Sequence, residues 1–234
     1  VPDVNPEHLD LLDAQAERWG NSGGGIVTNP NCSVAGLVVA LRPLHQRFGV
    51  RSVVVTTLQA ISGAGRPGPS AADLLDNVIP FIGNEEDKVE REPRKILGTL
   101  SGERLIEADI TVGATCTRVP VLHGHTASVS VRFEHEARAH EVAETLRDYR
   151  SPLSGSALPS APSRPIEVLD DDDRPQPKLD RDLGGGMSVA VGRVRACPVQ
   201  HVSFVVLSHN LVRGAAGAAL LNAELAVERG RVPL

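Results

Sequence analysis

The sequence predicts an α+β fold, because strands follow one another along the chain more often than they alternate with helices. A β-branched run at 50–57, alternating apolar and polar residues at 127–133, and two apolar segments at 187–195 and 202–207 all indicate strands. The last two are expected to form an antiparallel pair. With 234 residues, of which 41% are hydrophobic, the chain can bury one sizeable core.

The amino-terminal part is predicted to combine helices with one short strand. Residues 6–18 have the pattern of a short helix, with Asn5 as its cap and a proline in its first turn. Residues 26–28 predict a brief buried strand. From Ser33 the apolar positions recur at helical spacing, and Pro43 is expected to kink or shorten the last turn of that helix.

The rest of the chain is predicted to add elements around a long irregular segment. The expected elements are a helix around Lys95, a strand at 109–121, an amphipathic helix at 139–146, a short strand at 166–168 and a helix at 215–227. Residues 151–181 hold six prolines and the aspartate run 170–173, so they indicate a long excursion with a solvated acidic loop.

Composition excludes several classes of function. The net charge of −5 and six aromatic residues argue against nucleic-acid binding, and no apolar run approaches the roughly 20 residues of a membrane helix. Three widely spaced cysteines favour a reducing compartment, so we expect a cytoplasmic protein. The chain opens without an initiator Met and in mid-pattern, which predicts a piece of a longer polypeptide.

Cys32 is a candidate nucleophile, because it precedes a predicted helix whose free N–H groups and dipole favour a thiolate. A small buried hydrophobe is the alternative, and it is the expected role of Cys116 and Cys197. A thiolate nucleophile needs a general base, for which His123, His125 and His209 are all candidates by spacing. The other histidines are expected at the surface, and no histidine has the neighbours of a zinc site; they are His8, His45, His135, His140 and His201.

Two further groups carry weak signals by themselves. Residues 62–65, Ser-Gly-Ala-Gly after a strand, resemble a phosphate or cofactor cradle but lack the second half of a dinucleotide fingerprint, so an ordinary turn is favoured. Glu92 and Lys95 share a helix face at a spacing that is typical of a solvated pair.

Five sequence blocks, in order along almost the whole chain, resemble the aspartate-semialdehyde dehydrogenases of archaea, fungi and some bacteria. The blocks are TNPNCS at 28–33, TLQAISGAG at 57–65, NVIPFI at 77–82, CTRVPV with GHT at 116–126, and SHN with RGAAG at 208–217. The resemblance implies a mixed, largely antiparallel sheet with flanking helices, like the carboxyl-terminal domain of glyceraldehyde-3-phosphate dehydrogenase.

The resemblance also implies a division into three parts, with most of the preceding NADP-binding Rossmann domain absent. Residues 1–20 would be the end of that domain, 21–208 the catalytic and dimerisation domain, and 209–234 a final helix that packs on the missing part. That helix is therefore expected to be under-supported, and the chain alone is expected to be inactive.

Roles are implied for residues that match the family's blocks. Cys32 would form the acyl thioester, Gln59 orient the substrate, Arg118 grip the substrate carboxylate and His125 act as acid and base, in place of His123 and His209. The remaining implied contacts are Glu92 to the substrate ammonium (with Glu90 as a competing carboxylate), Lys95 to phosphate, Asn31 to substrate, and Ser62, Gly63, Gly65 and Asn210 to the cofactor.

The implied activity is the reversible, NADPH-dependent reduction of L-aspartyl 4-phosphate to L-aspartate 4-semialdehyde and phosphate, in lysine, threonine and methionine biosynthesis. The implied assembly is a homodimer or homotetramer. One alternative is a reductase of malonyl-CoA with the same Cys and His, although the carboxylate at Glu92 favours an amino-acid substrate. Another is a non-catalytic, truncated dimerisation module.

Overall fold

The computed structural model describes residues 1–20 and 25–232. Its helices are α1 Leu11–Arg18, α2 Cys32–Phe48, α3 Ala71–Leu74, α4 Glu85–Ile96, α5 Ala139–Arg147, α6 Pro177–Asp180 and α7 Gly217–Glu228. Its strands are β1 Val50–Gln59, β2 Thr99–Ser101, β3 Arg104–Ile106, β4 Thr111–Arg118, β5 His125–Phe133, β6 Ile166–Leu169, β7 Val189–Ala196 and β8 Val202–Ser208. No helix in these ranges is long and apolar enough to cross a membrane.

Six strands form one mixed sheet in the order β4-β1-β5-β8-β7-β6, and β2 and β3 form a separate hairpin. The three central pairings, β1 with β5, β5 with β8 and β8 with β7, are antiparallel, while β4 and β6 join the two ends in parallel. This confirms the α+β class, the largely antiparallel sheet and the antiparallel pairing of the last two strands.

Helices cover one face of the sheet. The longest, α2, packs against β1, β5 and β8, while α4 packs on β4 and α5 on β6 and β7. Alternate residues of β1 and β5 enter the core beneath them, as the period of two predicts. On the opposite face Val54 is 52% exposed and Leu58 is 37% exposed. The sheet therefore presents an open face that carries apolar side chains.

The edge strand β4 is covered by carboxylates from α4. Glu86 accepts the backbone N–H of Cys116 at 3.0 Å, and Glu90 accepts that of Ala114 at 3.1 Å. The two glutamates are one helical turn apart, and the two N–H groups are two strand residues apart on the same side. Unpaired edge groups that could bind another chain are thereby satisfied.

The two ends of the chain pack together beside the sheet. Leu221 and Leu225 of α7 are fully buried in a second apolar cluster with Leu9 and Leu153. Arg213, just before α7, forms a buried ion pair with Asp3, at 2.6 Å between Nη2 and Oδ2. One side of the final helix is therefore packed within this chain, while Leu220 on another side is 60% exposed, so the expectation that the helix is under-supported stays a prediction.

Several local predictions were wrong. Residues 26–28 form no strand: Ile26 is 61% exposed, and the side-chain amide of Gln15 bonds both of its backbone groups in place of a partner strand. Pro43 does not shorten α2, which continues to Phe48 because Leu44 and Phe48 are buried in the core. Asn5 precedes the first helical turn, but its side chain does not cap it.

One more expectation, the burial of Cys197, needs correction, while that of an exposed acidic loop is confirmed. Cys116 is fully buried as predicted, but Cys197 lies just beyond the end of β7 and is partly exposed. The aspartates at 170–173 are all exposed, as expected of a solvated acidic loop, and three of them also form surface ion pairs with arginines. These ion pairs are Asp170 with Arg147, Asp171 with Arg174, and Asp172 with Arg193.

Candidate active site

Strand direction brings the predicted site residues to one end of the sheet. Gln59 ends β1 and Arg118 ends β4, and the parallel register pairs the two residues. β5 runs in the opposite direction, so it begins at this end with His125, which pairs with Ser208 at the end of β8. Asn210 lies two residues beyond the end of that strand. Residues that are far apart in the sequence therefore meet where these strands end, at one end of the sheet.

Cys32 is the first residue of α2 and lies at the same end of the sheet. Asn31 caps the helix, because its Oδ1 accepts the backbone N–H of Ser33 at 2.9 Å and of Val34 at 3.4 Å. The packing of α2 on β1, β5 and β8 holds this terminus beside the strand ends. The helix start thus fixes where the thiol lies.

The thiol and one imidazole are in direct contact. Sγ of Cys32 lies 3.2 Å from Nε2 of His125, which is only 4% exposed. The backbone N–H of Ala60 donates to Nδ1 of the same ring at 3.0 Å. Because an accepting Nδ1 carries no proton, the neutral ring holds its proton on Nε2 and directs it at the sulfur. Of the three histidines that spacing left open, His125 is the one beside Cys32.

Burial governs the protonation of this pair. It lowers the pKa of His125 to about 3, and the charge of Arg118 acts in the same direction. Burial also raises the pKa of Cys32, as does the negative charge of Glu85, and the backbone N–H groups of Cys32 and Ser33 do not outweigh them. The resting pair is a neutral thiol and a neutral imidazole, which corrects the expectation that the helix terminus makes Cys32 a thiolate.

The guanidinium of Arg118 completes the cluster. Its Nη1 donates to the carbonyl oxygen of Ala60 at 2.7 Å, and the residue is 5% exposed. A Cβ at Gly63 would come within 2.8 Å of the His125 ring and 3.1 Å of Nη1 of Arg118. Only glycine lets the backbone lie so close to both groups. The thiol, the imidazole and the guanidinium therefore share one pocket.

Asn210 ties the loop after β1 to this pocket. Its Nδ2 donates to Oγ of Ser62 at 2.9 Å, while its Oδ1 accepts the backbone N–H of Gly124, next to His125, at 2.9 Å. Gly65 is not part of this arrangement, because it is exposed and its Cβ position has no described atom within 4 Å.

Sequence reasoning missed the carboxylate of Glu85, which is only 8% exposed. It accepts Nδ2 of Asn31 at 2.8 and 2.9 Å, Nε2 of Gln59 at 3.0 Å and Nζ of Lys88 at 3.1 Å. Burial acts to raise its pKa, but the hydrogen bonds from Gln59, Asn31 and Lys88 prevail and lower it. Glu85 therefore stays ionised, and its negative charge raises the pKa of Cys32.

The predicted pair Glu92 and Lys95 lies two helical turns further along α4. Glu92 accepts the backbone N–H of Asn31 at 2.7 Å, and burial raises the pKa of its carboxyl. Lys95 is exposed and lines, with Glu92, a cavity of about 260 Å³ against the amino-terminal segment. Glu90 faces the edge of β4, so it does not compete for a place in the pocket. The structure brings Glu92 to the pocket's rim and leaves Lys95 outside it.

The two other candidate bases lie apart from the thiol. The rings of His123 and His209 stack with centroids 5.9 Å apart, and Nε2 of His209 lies 3.8 Å from Asp182. Within residues 1–20 and 25–232, no three His, Cys, Asp or Glu side chains are grouped as metal ligands.

Comparison with known proteins places this geometry in a family. Residues 41–213 match the model described as "Semialdehyde dehydrogenase, dimerisation domain". The chain is 49% identical over 228 residues to an aspartate-semialdehyde dehydrogenase of Archaeoglobus fulgidus, covering 97% of this chain and 65% of that protein. It is 48% identical over 241 residues to one of Aspergillus fumigatus, covering 99% and 66%. The chain thus spans just under two thirds of the length of these relatives.

Solved structures agree with the sequence relatives. An aspartate-semialdehyde dehydrogenase with NADP from Candida albicans superposes with a TM-score of 0.89 at 43% identity, over 99% of this chain and 67% of that one. A second, from Vibrio cholerae and complexed with ASA, gives a TM-score of 0.75 at 29% identity, over 97% and 67%.

Proposed function

Because the chain belongs to the aspartate-semialdehyde dehydrogenase family, we propose that it forms the catalytic and dimerisation part of a cytoplasmic enzyme of lysine, threonine and methionine biosynthesis. The reaction is the reversible, NADPH-dependent reduction of L-aspartyl 4-phosphate to L-aspartate 4-semialdehyde and phosphate. The observation that carries the proposal is the 3.2 Å contact of Cys32 Sγ with His125 Nε2, in a pocket that holds one buried guanidinium and one buried carboxylate.

Cys32 supplies the nucleophile. Its sulfur attacks the acyl carbon of aspartyl phosphate, so that a C–S bond forms while the bond from that carbon to the phosphate oxygen breaks, and the proton of the thiol leaves with the departing phosphate. The product is a thioester, which accepts hydride at carbon more readily than an oxygen ester does. Addition of hydride leaves a tetrahedral carbon with a negatively charged oxygen, and expulsion of the sulfur then yields the aldehyde.

His125 is placed to hydrogen-bond to the substrate oxygen that becomes negatively charged. Its Nε2–H already lies 3.2 Å from the sulfur, so a carbonyl oxygen on the atom bonded to that sulfur is within its reach. Sharing this proton with the oxygen, in either direction of the reaction, is the acid and base role implied by the resemblance. The hydrogen bond from Ala60 to Nδ1 keeps the proton on Nε2.

The two buried charges fit the two ends of an amino-acid substrate. Arg118 is placed to bind the α-carboxylate through its guanidinium. Glu85, an ionised carboxylate in the same pocket, is placed to bind the ammonium, with Lys88 beside it for phosphate. We propose Glu85 and Lys88 for these roles in preference to Glu92 and Lys95, because Glu85 bonds to both Asn31 and Gln59.

The residues near the thiol fit the nicotinamide end of NADP. The backbone at Gly63 approaches the His125 ring with no side chain between them, and Ser62 is held beside it by Asn210. The exposed Gly65 leaves open space further along the same loop. When bound, NADPH supplies the hydride that reduces the thioester. The residues that read the rest of the dinucleotide belong to the family's nucleotide-binding domain, so we expect no turnover from this chain alone.

The open sheet face supports self-association. A match to a dimerisation-domain model, together with exposed Val54 and Leu58 on one sheet face, fits a homodimer or a tetramer built from dimers.

The test is kinetic and uses an enzyme that joins this chain to a nucleotide-binding domain of the family. Cys32→Ala is expected to abolish turnover, and His125→Asn to lower it about 10²- to 10⁴-fold, the usual contribution of a positioned acid or base. Equal, mild losses in both variants would refute the assignment. Glu85→Gln should raise KM for aspartate semialdehyde more than Glu92→Gln does. Faster turnover of malonyl-CoA than of aspartate semialdehyde with phosphate would favour the alternative reductase.

A further inference from the structure

The backbone just before α7 lies against the nucleophile. Residues Val212–Ala216 form a wide π-helical turn, a feature that is frequent at functional sites. A Cβ on Gly214 would lie 2.7 Å from Cβ and 2.9 Å from Cα of Cys32. Neither atom is the flexible end of a side chain, so Cys32 itself or the turn would have to move. The turn therefore touches Cys32 at a place where only glycine fits.

Hydrogen bonds join this turn to the residues that precede Cys32. Nδ2 of Asn29 donates to the carbonyl oxygen of Ala215 at 2.8 Å, and Nδ2 of Asn222 in α7 donates to Oδ1 of Asn29 at 2.8 Å. The backbone N–H of Gly214 donates to the carbonyl oxygen of His209 at 3.1 Å. The turn, the start of α7 and the segment leading to the thiol are thus tied together.

A buried ion pair fixes the turn from the other side. Arg213, the neighbour of Gly214, is fully buried and pairs with Asp3, which is also fully buried, at 2.6 Å. A buried charge is strongly disfavoured without its partner, so the arginine cannot swing out to solvent at little cost. The position of Gly214 against Cys32 is therefore set by the folded ends of the chain.

We propose that the turn Val212–Ala216 is a positioning element for the thiol: Gly214, held by the Arg213–Asp3 pair and by Asn29, sets the distance between Cys32 Sγ and His125 Nε2. This inference rests on the proposed function of Cys32 as the nucleophile. A methyl group at position 214 would be about 0.7 Å short of the 3.4 Å at which ordinary contact begins. Relieving that overlap displaces the sulfur from the imidazole.

The test compares Gly214→Ala with Gly192→Ala. A Cβ at Gly192, within β7, would also be crowded, at 2.4 Å from the carbonyl oxygen of Arg174, but the atoms that it would meet belong neither to the turn Val212–Ala216 nor to Cys32. The readout is the second-order rate at which iodoacetamide alkylates Cys32, followed by mass spectrometry of the folded chain between pH 6 and 9. This readout needs no cofactor domain.

Gly214→Ala is expected to slow alkylation of Cys32 about 10- to 100-fold at pH 7.5, as for the loss of one hydrogen bond to a thiolate, and to shift the pH profile upwards. Gly192→Ala is expected to keep the parent rate and pH dependence, whatever its thermal midpoint. In the joined enzyme, Gly214→Ala should lower kcat about 10- to 100-fold with KM within about threefold.

Each outcome has one meaning. A parent rate in folded Gly214→Ala, or equal losses in both variants, would overturn the positioning role. If Cys32→Ala in the joined enzyme keeps the parent turnover, the proposed nucleophile fails instead. If Gly214→Ala does not fold, Asn29→Ala is the second variant: a severalfold slower alkylation supports the proposal, and an unchanged rate overturns it.

Discussion

Replacing His125 by Asn should make the fold less sensitive to acid. The imidazole is 4% exposed, and its pKa is about 3 in the folded chain against 6.5 for the free side chain. As the pH falls below 6.5, the unfolded chain binds a proton that the folded chain does not, so the free energy of unfolding decreases and levels off only below pH 3. At 1.36 kcal/mol per pKa unit, the loss attributable to this ring is about 2 kcal/mol between pH 8 and pH 5.

The assay is urea unfolding at pH 8, 6.5, 5.5 and 5, with parent and His125→Asn compared at each pH. The charged and titratable groups that face the ring, chiefly Arg118, Glu85 and His209, are present in both proteins and cancel in the difference. Asn can still accept the N–H of Ala60 through its side-chain oxygen, so the variant is expected to fold. His140→Asn, at an exposed site, controls for the substitution. Parallel stability curves for parent and His125→Asn would show that the ring is not held neutral by burial.

Three further outcomes follow from single contacts. Glu85→Gln removes a negative charge beside the thiol, so the pKa of Cys32 should fall and alkylation near pH 7.5 should become severalfold faster, as measured by mass spectrometry; a slower reaction would contradict this electrostatic effect. Glu90→Ala leaves the N–H of Ala114 without its acceptor and should lower the free energy of unfolding by about 1 to 3 kcal/mol in urea titration, whereas Glu90→Gln, which keeps an acceptor oxygen, should lose less. Val54→Lys places a charge on the open sheet face and should shift the chain towards monomer in light scattering without lowering its thermal midpoint; an unchanged dimer would place the interface elsewhere.

The sheet was predictable where packing leaves a period in the sequence. Residues 127–133 alternate because β5 has helices on one face only, and α2 was found from apolar positions that recur at helical spacing. Residues 26–28 have the same β-branched composition but no neighbouring strand, and the Gln15 side chain takes the place of one. Composition therefore predicts the tendency to form a strand, but pairing decides whether one exists.

The residue types of the site were predictable from the sequence, but which of the two Glu and Lys pairs on α4 lies at the pocket was not. Glu85 with Lys88, and Glu92 with Lys95, have the same spacing, and the pairs are seven residues apart. Seven residues are almost two full turns, so both pairs lie on one face and differ by roughly 10 Å along the axis. Sequence periodicity shows which residues share one face of a helix, but not which of them lies beside the ends of the strands. Only the structure shows that Glu85 is the residue level with Gln59.

The neutral resting pair suggests how binding and reactivity are linked through one carboxylate. Glu85 raises the pKa of Cys32, and its effect is larger than the opposing effect of Arg118. A substrate ammonium paired with Glu85 would offset the first effect, while a substrate carboxylate paired with Arg118 would offset the second. An ammonium group held at Glu85 would therefore remove the larger of the two effects, the one that raises the pKa of the thiol. A substrate with a carboxylate but no ammonium would neutralise Arg118 alone and leave the thiol less reactive, so Glu85 would select its substrate by charge at the moment the nucleophile is needed.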